Sequence, residues 1–287
     1  MKKYLILTAV SALLLMFVTS CDKDGIYNPK EKITKIYYDE EGTKVLSESW
    51  SWDKNLLTKV SYGTSQDEYQ LFEYDSKQIV KITNYSLGIE SGYVSFIYDK
   101  ALLIKVESYN EDNELTESIE VVHDGKKIIK LTMTSYEQDY ETLKSISHQR
   151  LLSRTLGFFV SKPLIDKIMQ ANHKSTTYVT TIEFTYDGDN VISEKYTDEE
   201  VVYTTTYTYD ANLNPFYDGL FSSENSMALS INNPLSANLT ATIGGQSFSS
   251  TVSYSYVYDG KWPIEQKSTQ TFMGQEFTST YYYEYLD

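Results

Sequence analysis

One pattern constrains this chain more than any other: two aromatic residues, one position apart, followed by an aspartate. It reads Trp50-Ser51-Trp52-Asp53, Phe72-Glu73-Tyr74-Asp75, Phe96-Ile97-Tyr98-Asp99, Phe184-Thr185-Tyr186-Asp187, Tyr207-Thr208-Tyr209-Asp210 and Tyr256-Val257-Tyr258-Asp259. Tyr37-Tyr38-Asp39 and Val121-Val122-His123-Asp124 are variants. A large residue at every second position puts all the rings on one face of an extended strand, which no helix can do. From Asp53 to Asp124 the aspartates recur after 22, 24 and 25 residues, and Asp210 follows Asp187 by 23. That period fits a hairpin of two short strands with its turns.

The second strand of each unit carries its own pattern. Apolar pairs Val80 and Ile82, Ile104 and Val106, and Ile129 and Leu131 flank Lys81, Lys105 and Lys130, while Thr58 and Val60 flank Lys59. Alternation sends each apolar pair to the aromatic face and the lysine to the other. This predicts a register in which Phe72 opposes Ile82, Tyr74 opposes Val80, Glu73 opposes Lys81 and Phe96 opposes Val106. It also predicts odd-length turns of three residues, each headed by an aspartate that caps the turn backbone. A slip of one residue would turn every ring to water.

Tyrosine, at 27 residues, dominates the aromatic content and favours strands. The expected fold is therefore all-β: a large antiparallel meander of roughly 14–17 strands, which a sheet of that width resolves by strong curling or closure into a barrel. Two interruptions stand out. Residues 139–174 carry apolar stripes at Leu152, Leu156 and Phe159 and at Leu164, Ile165, Ile168 and Met169, separated by Gly157 and Pro163, the spacing of a small two-helix insert. Residues 211–239 are rich in Asn, Ser and Pro and read as a loop insert with one short strand near 227–231.

The N-terminus is separate from this pattern. Lys2 and Lys3 precede an apolar run from Tyr4 to Val18, too short to span a bilayer. Val18-Thr19-Ser20-Cys21 resembles the bacterial lipobox, which implies a signal peptide over 1–20 and a lipidated Cys21. Residues 21–32 are then a linker and 33–287 one domain. Cys21 is the chain's only cysteine, so no internal disulfide forms. Removing 1–20 takes away two lysines and no acid, leaving 23 basic residues against 40 acidic ones. Such a surface repels nucleic acid and anionic lipid headgroups.

Tyr209-Asp210-Ala211-Asn212-Leu213-Asn214-Pro215-Phe216, with Ser230-Ile231-Asn232-Asn233 downstream, resembles a family of lipoproteins of unknown function from Gram-negative gut bacteria. The aromatic–aspartate hairpins also resemble the tyrosine–aspartate repeats of large secreted shell proteins. The family resemblance implies a porin-like fold and a lipoprotein of the outer membrane or cell surface, and implies no activity.

Chemistry-bearing motifs are few. His123 occupies a slot that tyrosine fills in other units, and His148 and His173 fall in or beside the helical insert without a metal-ligand spacing. Asp187-Gly188-Asp189-Asn190 resembles half of a calcium loop but lacks the closing Glu. No cofactor, metal or catalytic residue is expected. Trp50 and Trp52 occupy repeat slots, where they read as buried. Trp262, after Gly260-Lys261 and before Pro263, departs from the repeat and is the candidate ligand-binding residue. The expectation is a membrane-anchored binding module for a glycan or other polymer. The alternative is an envelope-assembly protein with a protein ligand, and a hydrolase is the weakest reading.

Overall fold

The computed structural model describes residues 29, 31–136, 178–197, 201–217, 228–243, 246–272 and 275–286. Cys21, His148, His173 and the expected helical insert lie outside the described residues. Sixteen antiparallel strands follow one another: β1 (Ile33–Glu40), β2 (Thr43–Asp53), β3 (Leu56–Tyr62), β4 (Glu68–Asp75), β5 (Gln78–Ser86), β6 (Ile89–Asp99), β7 (Leu102–Tyr109) and β8 (Leu115–Asp124). Then come β9 (Lys127–Ser135), β10 (Tyr178–Asp187), β11 (Asn190–Thr197), β12 (Val201–Leu213), β13 (Asn232–Ile243), β14 (Gln246–Asp259), β15 (Trp262–Phe272) and β16 (Gln275–Tyr285). Each pairs with its sequence neighbours, and β16 pairs with β1, closing the sheet into a barrel.

The tight turns after Asp53, Asp75, Asp99, Asp124, Asp187 and Asp259 share one end of the barrel, hereafter the aspartate rim. Its first strand starts there and its last ends there. Asp39 is an exception to the repeat. It precedes the β1–β2 turn, which lies at the opposite rim, where Gly42 donates to the Asp39 carboxylate at 2.8 Å. Asp210 is another, because β12 runs on to Leu213 instead of turning. The Asn-rich insert is correspondingly shorter than 211–239: strand occupies Ala211–Leu213 and everything from Asn232 on, and residues 228–231 form a turn and bend with no strand of their own.

The register departs from expectation at one place in each hairpin, for a definable reason. Phe72 opposes Ile82, Glu73 opposes Lys81 and Phe96 opposes Val106, as the pattern predicts. The turns, however, hold two residues, not three: Asp75 pairs with Gln78, and Asp99 with Leu102. Ser76 and Lys100 adopt φ of 58° and 57°, the left-handed backbone that two-residue turns need to match strand twist. A β-bulge one step into the strand restores the parity. Tyr74 therefore opposes Ile79 and Tyr98 opposes Leu103, while Val80 and Ile104 are the extra residues. Ile104 is accordingly exposed, and Leu103 is buried in its place.

The bulge explains why the residue before the aspartate is Tyr, Trp or His and never Phe. In six units its side chain crosses to the neighbouring hairpin and bonds a carbonyl beside a bulge, whereas Tyr258 donates to the Asp210 carboxylate. Tyr74 Oη donates to Leu57 O at 2.8 Å, Tyr98 Oη to Ile79 O at 3.0 Å and Tyr186 Oη to Ile128 O at 2.8 Å. Tyr209 bonds Val191 O in the same way. Trp52 Nε1 donates to Ile33 O at 2.7 Å, and His123 Nε2 lies 2.7 Å from Leu103 O. The slot requires a ring for the core and a donor for a carbonyl.

Inside the wall, Leu57, Val60, Ile82, Val106, Leu131, Ile182 and Val191 are all at most 1% exposed. A barrel of sixteen strands is wide enough for an aqueous channel, yet at this level its inward side chains are dry. Outward positions are mixed, with Ile97, Val122 and Val257 exposed among many polar residues. Thr204, Thr206 and Thr208 line β12, and Ser236, Asn238 and Thr240 line β13. Lys59, Lys81, Lys105 and Lys130 stand on the outer face in the bodies of their strands. A lipid-facing band excludes such charge, each costing about 2–4 kcal/mol near the bilayer midplane.

Candidate functional site

Above the apolar rungs the inward face turns polar, which the repeat alone does not announce. Glu48, Gln70, Asn84, Glu117, Glu194 and Gln266 are buried. Rings on neighbouring rungs supply donors to several of them. Trp50 Nε1 donates to Glu48 at 2.8 Å, Tyr62 Oη to Gln70 at 2.7 Å and Tyr283 Oη to Gln266 at 2.5 Å. Tyr207 bonds Glu194 likewise. Gln70 Nε2 in turn donates to Asn84 at 2.9 Å. The signal was available: Glu48 and Gln70 sit two positions before Trp50 and Phe72, in phase with the inward face.

The Asn-rich motif is a latch. Asn214 Nδ2 donates to Ser230 O at 2.9 Å, and the Asn214 amide to Ile231 O at 2.9 Å. Asn214 Oδ1 accepts the Phe216 amide at 3.0 Å, tightening the turn that aims Phe216 into the barrel. Asn190 and Asn232 bond reciprocally, with Nδ2 of Asn190 on Oδ1 of Asn232 at 2.9 Å and the Asn232 amide on Oδ1 of Asn190 at 3.1 Å. Asn233 Nδ2 donates to Leu213 O at 3.0 Å, and Asp210 accepts from the Asn233 amide and from Tyr258 Oη. The residues that carry the family resemblance are thus the ones that tie the segment after β12 to the rim.

Between this latch and the closing seam lies an open cleft of about 970 Å³ on the aspartate rim. Trp262 and Ile264 of β15, Tyr285 and Leu286 at the end of β16, Pro215, Tyr217 and Ile231 of the latch, and Pro29 and Glu31 before β1 line it. Trp262 is half-buried, pairs with Asp259 and takes the slot that Leu56, Gln78 and Leu102 take in other units. Its ring lies 6.4 Å from Tyr285 at a tilt of 52°. Tyr285 Oη donates to Pro263 O at 2.6 Å, and burial pushes its pKa up, so it remains a neutral donor. Glu31, Asp259 and Lys261 supply charge at the mouth. The arrangement offers a planar aromatic, apolar walls and a few polar groups, which is the make-up of a binding site for a part-polar, part-apolar ligand.

Other candidates are accounted for structurally. Trp50 is 5% exposed, and its indole, like that of Trp52, bonds within the wall. The turn Asp187–Asn190 holds the Lys127 ammonium, 3.6 Å from Asp189 and bonded to Gly188 O. Among the described residues no group of three or more His, Cys, Asp or Glu is placed to hold a metal. Outward tyrosines stack in two cross-strand pairs, Tyr69–Tyr85 and Tyr93–Tyr109, each with centroids 4.7 Å apart. The ammonium groups of Lys59 and Lys81 lie 4.1 and 4.3 Å from the Tyr69 and Tyr93 rings.

No family model matches the sequence, and no curated protein matches it. The fold does have solved relatives. A porin-like protein from Bacteroides vulgatus ATCC 8482 superposes on 90% of this chain and 99% of its own, at 12% identity and a TM-score of 0.51. A porin-like protein from Bacteroides uniformis ATCC 8492 superposes on 88% of this chain and 96% of its own, at 11% identity and a TM-score of 0.54. The chain has a porin-like fold. At these identities the likeness is one of architecture.

Proposed function

We propose that the protein is an envelope lipoprotein, held at the outer membrane or cell surface by acyl chains on Cys21, whose barrel stands in water and binds a glycan or other polymer through the Trp262 cleft. The fold shared with porin-like Bacteroides proteins, the lipobox-like Val18–Cys21 and the hydrophilic wall support the anchored, water-borne part of this reading. The cleft carries the binding part: Trp262 departs from the repeat and lines the cleft beside Tyr285. The measurement is affinity of the C21S protein for a polysaccharide panel, followed by Trp262→Ala. Loss of the indole is expected to cost about 2 kcal/mol, a roughly 30-fold loss of affinity, with the barrel's circular dichroism unchanged. Unchanged affinity of Trp262→Ala for every polysaccharide that binds would exclude the cleft. One observation favours a protein ligand instead. Leu87 and Ile89 at the opposite rim are 77% and 72% exposed, and Leu87 is held at φ 53°.

A further inference from the structure

The two tyrosine pairs on the outer wall differ in geometry from the described tyrosine pairs inside the barrel. Tyr69 and Tyr85 are direct partners in the β4–β5 ladder, and Tyr93 and Tyr109 in the β6–β7 ladder. Both pairs have centroids 4.7 Å apart, with rings within 10° and 14° of parallel. At that offset-stacked separation the ring carbons of the two phenols are in van der Waals contact. The inward pairs Tyr196–Tyr203, Tyr207–Tyr209 and Tyr256–Tyr258 are at least 5.7 Å apart and tilted by at least 31°. The four outer rings are half-buried, so a small solute in water reaches them. The wall holds each pair together and makes a reaction between its rings unimolecular.

The hydroxyls of one pair are already arranged for oxidation. Tyr109 Oη donates to the Glu107 carboxylate at 2.9 Å. Lys105, bonded to the same carboxylate, holds the Glu107 carboxyl below its usual range, so it is ionised at neutral pH. An electron leaving Tyr109 therefore has a base in place for the phenolic proton. Tyr93 Oη donates instead to the Asn113 side chain, and the Lys81 ammonium 4.3 Å from its ring centre opposes positive charge there. The first electron thus leaves Tyr109.

We propose that Tyr93–Tyr109 and Tyr69–Tyr85 are oxidative cross-linking sites, at which a small one-electron oxidant converts each stacked pair into a dityrosine that joins β6 to β7 and β4 to β5. Two equivalents of oxidant are consumed for each bond. Each phenol gives up one electron to the oxidant and its hydroxyl proton to a base. The two phenoxyl radicals form one bond between ortho carbons, and the hydrogen on each of those carbons moves to its own oxygen, restoring both phenols. The product has lost two hydrogen atoms, released as two protons and two electrons. Inside the barrel, burial and tilt withhold Tyr196, Tyr203 and Tyr207 from this chemistry.

The test treats the C21S protein, which lacks the chain's one thiol, with tris(bipyridine)ruthenium(III) generated by light and persulfate. Cross-links are then mapped by tandem mass spectrometry of the digested protein. Tyr93–Tyr109 and Tyr69–Tyr85 should dominate, with yields independent of protein concentration. Tyr93–Tyr109 should form first, and Glu107→Gln should slow it about ten-fold while leaving Tyr69–Tyr85 unchanged. Tyr109→Phe keeps the stacked ring but forms no phenoxyl radical, and should abolish the Tyr93–Tyr109 product alone. Cross-links that map mainly to other tyrosines, a yield that rises with protein concentration, or a Tyr93–Tyr109 rate unmoved by Glu107→Gln would each overturn the proposal.

Discussion

Phe216→Ala is expected to destabilise the barrel by about 3–5 kcal/mol, the range for removing a buried aromatic ring. Phe216 is 3% exposed. Its ring meets Trp50 of β2 edge-on at 6.0 Å and Tyr283 of β16 edge-on at 5.9 Å, so it presses on the strands flanking β1 where the sheet closes. Its backbone belongs to the far side, held by Asn214 to Ser230 and Ile231. One side chain thus connects the β12–β13 segment to the seam, and alanine would leave a cavity between parts that cannot both move in. Phe216→Leu fills most of that volume and should cost less than half as much. Urea denaturation of the three proteins at equal pH reads the difference. A cost below about 1 kcal/mol for alanine would mean that the ring is not packed as described.

The second large effect is a pH dependence opposite to the usual one for a carboxylate. Glu117 is buried, and burial raises its pKa to about 7, with Thr116 Oγ1, 2.5 Å from its carboxylate, opposing the shift. The folded pKa lies above the unfolded one, so the native state holds the extra proton between them. The resulting stability is fully present below the unfolded glutamate pKa near 4.5 and is lost as pH rises through about 7. That interval corresponds to about 3 kcal/mol. Glu117→Gln removes the titrating group. It should match wild type near pH 4.5 and exceed it by up to about 3 kcal/mol at pH 8, read from denaturation midpoints at both pH values. Parallel pH profiles for the two proteins would show that folding leaves the Glu117 carboxyl unshifted.

Much of this architecture is written locally. Phe72 and Tyr74, with Ile82 directly after Lys81 and so on the opposite face from it, fix which face is inward, and Glu73 opposite Lys81 fixes the pairing. What the pattern could not show is the pairing step beside each turn. A three-residue turn and a two-residue turn followed by a bulge place Phe72 on Ile82 equally well, and they differ only in whether Val80 or Ile79 reaches the core. The choice is decided by backbone twist and by the carbonyl that a neighbouring tyrosine can reach, neither of which is local. Closure is similarly non-local, since Tyr283 meeting Ile36 depends on the accumulated curvature of the whole sheet.

The candidate site was legible in part. Trp262 stands out because the repeat fails there, and the same failure marks Asn214–Phe216. That the two failures share one cleft follows only from the barrel's closure, which brings the segment after β12 to the β15–β16 end. Tyr69, Tyr85, Tyr93 and Tyr109 show the limit of composition as a guide: tyrosines outside the inward slots are also abundant, and they stack along the outer wall.

The fold is porin-like, but lysines, threonines and serines stand on the outer wall among exposed aliphatics, and apolar rungs are buried within. Size-exclusion chromatography with light scattering, on the chain lacking residues 1–21 in buffer without detergent, decides whether that polarity governs behaviour. A monodisperse monomer with a β-sheet circular dichroism spectrum is the predicted result. A protein that aggregates in plain buffer and becomes folded and monodisperse only in detergent would mean that the wall is made for lipid.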